Sequence, residues 1–62
     1  MYRVSEVAAR LDVPSRSVRY WINEGYLHAV KSGKDYYISA WDLEKFEKDF
    51  SSEIEEAQTG RD

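Results

Sequence analysis

With 62 residues, no cysteine and a net charge of −3, the chain is expected to be one small domain with a thin core, held by neither a disulfide nor a cysteine-ligated zinc. No basic start leads into an apolar run, and no stretch approaches the roughly 20 apolar residues of a membrane span, so a soluble protein of the cytoplasm is expected. Packing must then fall to nine aromatic residues, among them Trp21, Trp41, Phe46 and Phe50.

The first helix is predicted within the run Val4–Leu11, with Val4 ahead of its cap. Ser5 is the expected N-cap, Glu6 sits in the first turn where its charge opposes the helix dipole, and Val4 and Ala9 are placed to form a hydrophobic staple. Val7, Ala8 and Leu11 make the apolar stripe. The link Asp12-Val13-Pro14 is short enough that the next helix must cross the first, as in a helix-turn-helix.

The second helix runs from an expected cap at Ser15 to a stop at Gly25, the glycine taking the left-handed position that closes a helix. Val18, Trp21 and Ile22 recur at helical spacing and face inward. Arg16, Ser17, Tyr20 and Asn23 fall on the opposite side, with Arg19 on its flank. A short helix presenting arginines, a tyrosine and small polar groups fits the major groove of duplex DNA. Arg16 and Ser17 lie in the first turn, the end that reads base edges; Arg19 and Tyr20 are candidates for phosphate.

Two β-prone runs follow, Leu27–Lys31 and Asp35–Ile38, around Ser32-Gly33-Lys34. They predict a hairpin with Gly33 at positive φ, Leu27, Val30 and Ile38 inward, and Lys31, Ser32 and Lys34 at the tip. Those tip residues can reach phosphate or a minor groove; the alternative is a purely structural ribbon with solvated lysines. Lys31-Ser32-Gly33-Lys34 lacks the first glycine and the context of a phosphate loop. His28 has no second histidine or cysteine nearby, so no metal is expected there, nor any other cofactor.

A third helix is expected from Ser39, capped in the manner of a capping box with Asp42, and carries Leu43, Phe46 and Phe50 at helical spacing, with Ile54 extending the series beyond a break at Ser51-Ser52. The domain is placed at residues 1–50. Residues 51–62 read as an acidic tail, partly helical or disordered, with disorder expected from Gln58 onward. Residues 1–46 carry a net +1 and residues 47–62 a net −4, so a positive binding face is compatible with an acidic chain. The tail should either lie away from DNA or compete with it for the basic face. No nucleophile, oriented base or pocket suggests catalysis, and no enzyme is expected.

Taken together, Val4-Ser5-Glu6-Val7-Ala8, then Ser15-x-x-Val18-Arg19-Tyr20-Trp21, Gly25-x-Leu27 and Ile38-x-x-x-Asp42-Leu43-x-x-Phe46 resemble, over residues 2–46, the winged-helix domain shared by phage excisionases and the mercury-resistance regulator (MerR) superfamily. The resemblance implies a mainly α fold with a small β-hairpin: a winged helix-turn-helix of two helices, a two-stranded wing and a C-terminal helix. It further implies double-stranded DNA as partner, with the second helix in the major groove and the wing against the neighbouring minor groove. Where many relatives carry an arginine, Tyr37 stands here. The length fits the small stand-alone members, which act as excision-directing architectural factors or compact transcription regulators. An integrase or recombinase is then a candidate protein partner, and head-to-tail self-contacts on DNA are expected. The alternatives are the DNA-binding part of a phage terminase small subunit, or a protein-interaction adaptor presenting its tyrosines.

Overall fold

The valine, alanine and leucine stripe of the first helix is the surface on which the rest of the chain packs. The computed structural model describes residues 1–59, in the order β1 (Tyr2–Arg3), α1 (Val4–Leu11), α2 (Ser15–Asn23), β2 (Val30–Ser32), β3 (Asp35–Ile38), α3 (Ala40–Asp49) and α4 (Ser51–Thr59). Val7, Val18, Leu27, Ile38 and Leu43 are fully enclosed, one from each of α1, α2, the loop after it, β3 and α3. This is the mainly helical, winged helix-turn-helix architecture expected, with one addition. The wing is a three-stranded antiparallel sheet of order β1-β3-β2, because Tyr2 pairs with Ile38 and Arg3 with Tyr37 on the far side of the hairpin.

Both helices of the helix-turn-helix are capped one or two residues before the expected positions. Arg3 holds the cap position of α1, and its backbone N–H donates to the Glu6 carboxylate at 2.8 Å. Val4 is therefore inside the helix and buried, and the expected staple with the exposed Ala9 does not form. At α2 the cap is Pro14, whose φ of −66° is set by its ring and whose carbonyl accepts from Ser17 N–H at 3.0 Å. Ser15 is the first helical residue.

The two helices end on the same device. Past α1, Val13 N–H donates to Ala8 O at 3.0 Å and Asp12 N–H to Ala9 O at 3.3 Å, with Asp12 left-handed at φ 57°. Past α2, Tyr26 N–H donates to Trp21 O at 2.9 Å and Gly25 N–H to Ile22 O at 3.1 Å, with Gly25 at φ 83°. Both are Schellman closures, and the first sends Val13 straight into the core.

In the hairpin, Ser32 faces Asp35 across a two-residue turn of Gly33 and Lys34. Gly33 has φ 64° while Lys34 does not, the sign pattern of a type II′ turn. Leu27 and Ile38 point inward as expected, but Val30 is half exposed. Its partner is Tyr37, one residue out of phase with Ile38, so the pleat turns Val30 to the outer face. Tyr36, on the inner face, packs against the core instead.

Ser39 caps α3, its Oγ accepting from Asp42 N–H at 3.0 Å. Of the aromatic residues, Trp21 lies 5.0 Å from Phe46, and Phe46 stacks on Phe50 at 4.9 Å, so these three carry packing as expected. Trp41 does not: it is 68% exposed at the start of α3, with the Lys45 ammonium 5.3 Å from its ring. The chain breaks at Phe50 and resumes as α4, which docks Ile54 into the core and donates from Gln58 Nε2 to Leu11 O at 2.6 Å, satisfying a last-turn carbonyl of α1. Gln58 and Thr59 are helical, against the disorder expected there; for residues 60–62 that expectation lies outside the described residues.

Candidate nucleic-acid interface

The burial of Val18 and Trp21 fixes which way α2 faces. With those two side chains in the core and Ile22 packed against it, Arg16, Arg19, Tyr20 and Asn23 stand exposed and Ser17 half-buried. Tyr20 is not part of the core; its ring meets Tyr26 edge-on at 6.5 Å. Among the described residues Arg16, Arg19 and Lys34 enter no ion pair, so their charges are available to a ligand.

Two surface grooves divide these residues. The first is open and is lined by Arg16, Ser17 and Tyr20 of α2 above Trp21, with Glu53, Glu56 and Ala57 of α4 opposite. The second is polar, about 230 Å³, and is lined by both Arg19 of α2 and Lys34 of the wing, together with Arg3, Ser5, Asp35 and Tyr36. Helix and hairpin tip, 15 residues apart in sequence from Arg19 to Lys34, thus present cations to one continuous surface. Asn23, Lys31 and Ser32 line neither groove: Asn23 ends α2, Ser32 faces Asp35, and the Lys31 ammonium sits 5.8 Å from the Tyr36 ring.

Arg3 is held rather than loose. Its guanidinium lies 3.6 Å from Asp35 and 5.9 Å from the Tyr37 ring, and Tyr37 first, then Asp35, raises its pKa above the ordinary arginine value. Asp35 therefore offsets part of the charge that Arg3 brings to the second groove. Tyr37, standing on the outer face of β3, anchors Arg3 where an arginine would have pushed it away.

The histidine has a partner that spacing along the chain did not reveal. His28 Nδ1 hydrogen-bonds Asp42 Oδ2 at 2.9 Å, and Ser39 Oγ donates to the same oxygen at 2.9 Å. The His28 bond, reinforced by Ser39 and opposed by burial, holds the Asp42 carboxyl below its ordinary pKa. This brace ties the segment after α2 to the amino end of α3. Among the described residues no group of three or more ligand-type side chains could hold a metal ion, and no helix is long and apolar enough to cross a membrane.

Neither curated proteins nor solved structures give a match to the chain. A family model does, and it covers the two crossed helices, the wing and nearly all of α3: the model of a helix-turn-helix domain matches residues 1–49. The chain therefore belongs to the helix-turn-helix domain family, whose members bind DNA through this motif.

Proposed function

We propose that the protein binds duplex DNA sequence-specifically, with α2 in the major groove and the hairpin on the neighbouring backbone or minor groove, as an excisionase-type architectural factor or a small transcription regulator. The observation that carries this reading is the shared groove of Arg19 and Lys34, which joins helix and wing into one cationic surface beside the exposed face of Arg16, Ser17, Tyr20 and Asn23. In this reading Arg16 and Ser17 meet base edges, while Arg19, Tyr20 and the wing residues Lys31, Ser32 and Lys34 meet phosphate and fix the register. So few cations allow only a short site per copy, so copies on adjacent sites, touching head-to-tail, supply the remaining affinity and bend the duplex. An integrase or recombinase bound alongside would use the same bent DNA. The reading needs no cofactor and puts the protein in the cytoplasm of a bacterial cell.

Selection of bound duplexes from a random pool tests it. One enriched motif, protected in the major groove by a single copy and in direct repeats at higher protein concentration, is the expected result. The exposed Trp41 and Tyr26 favour the second reading, a protein-docking adaptor. A pool with no enriched duplex, together with tight capture of one protein partner, would establish that reading instead.

A further inference from the structure

α4 faces α2 across an open groove, and its charge faces the wrong way for a DNA-binding surface. Glu53 and Glu56 form one wall of an open groove of about 510 Å³ whose other wall is Arg16, Ser17 and Tyr20. The helix is anchored there by Ile54, buried in the core, and by the Gln58 side chain on Leu11 O at 2.6 Å. Its carboxylates cannot be relieved by swinging the helix away without exposing Ile54. The third glutamate of α4, Glu55, lines a different groove with Arg10 and Glu47.

Resting on the reading of α2 as the helix that enters the groove, we propose that Glu53 and Glu56 are affinity-setting residues of the DNA interface. They hold fixed negative charge beside the base-reading end of α2 and oppose the attachment of any duplex. Phosphates approaching Arg16 come within a Debye length of both carboxylates at about 0.1 M salt, so the repulsion acts on every sequence alike and is screened out as salt rises. Attachment by phosphate contacts alone is thereby kept weak, and only a duplex that also satisfies the base contacts of the first turn of α2 is retained.

The test is a titration of fluorescent duplexes, one of the selected sequence and one scrambled, with the full chain and its Glu53→Gln/Glu56→Gln variant across a salt series. Both side chains are exposed, so the variant keeps the wild-type helical circular dichroism. Its affinity is expected to rise about fivefold on both duplexes at low salt, with a steeper salt dependence and convergence with wild type near 1 M. Glu55→Gln removes one charge from the same helix and is expected to shift affinity by much less than Glu53→Gln alone. An unchanged or lowered affinity for the double variant, or an equal gain from Glu55→Gln, overturns the proposal while leaving DNA binding by α2 intact. If wild type and all variants fail to bind either duplex, the DNA reading itself falls, and this proposal with it.

Discussion

Arg16 and Arg19 sit three positions apart on α2, yet they open onto different grooves and should fail differently when removed. Arg16→Ala is expected to weaken the selected site by about 1–3 kcal/mol and to relax the preference at one base pair, the cost of a lost base contact. Arg19→Ala should weaken all sequences alike and reduce the salt slope by about one unit. Competition titrations with single-base variants of the site separate the two, and indistinguishable losses would remove the distinction. Away from the interface, Asp42 sets a pH dependence. Its pKa is depressed in the folded protein by His28 and then Ser39, so the stability it contributes is present above its unfolded pKa of about 4 and is lost as pH falls through the folded value. Urea unfolding between neutral pH and acid should therefore show a decline that Asp42→Asn lacks; parallel curves for the two proteins would contradict it. Neither the His28–Asp42 bond nor the holding of Arg3 by Tyr37 was legible in the sequence. Each joins residues from distant parts of the chain, and no local rule of spacing brings them together.

At the scale of elements, the parts that obey local rules were legible. The apolar stripe of α2, the glycine stop, the hairpin turn and the Ser39 cap all follow from residues within a few positions of one another. What was not legible depends on the rest of the molecule. β1 is two residues long, too short to carry a pattern, and exists only because β3 offers it an edge. That same pairing carries the chain directly into α1 at Val4 and moves the cap from Ser5 to Arg3. α4 has little apolar content beyond Ile54 and Ala57, so its docking reflects the pocket it fills rather than its own sequence. Ile54→Ala should thus destabilise the whole domain by about 2–4 kcal/mol in chemical denaturation, whereas a change confined to fraying of α4 would mean that α4 is dispensable. The wing gives a separate test. Lys31→Ala with Lys34→Ala should lower DNA affinity and reduce the salt slope by roughly two at most, and an unchanged slope would make the hairpin purely structural.

For the molecule as a whole, the extents of 31 × 22 × 19 Å allow one copy to span no more than about one turn of duplex. Sedimentation of the free protein is expected to give a monomer, and binding to two adjacent direct repeats should be cooperative where binding to one is weak. A stable dimer in the absence of DNA with an inverted-repeat footprint would indicate a conventional dimeric repressor instead. Arg3 is at once the last residue of β1 and the cap of α1, so no slack residue separates the sheet from the helical pair. In the proposed reading the hairpin and α2 would consequently act as a single lever. In the proposed complex the protein would surrender the tumbling of one rigid body rather than two, and each contact made at the tip would already aim the contacts made by the helix.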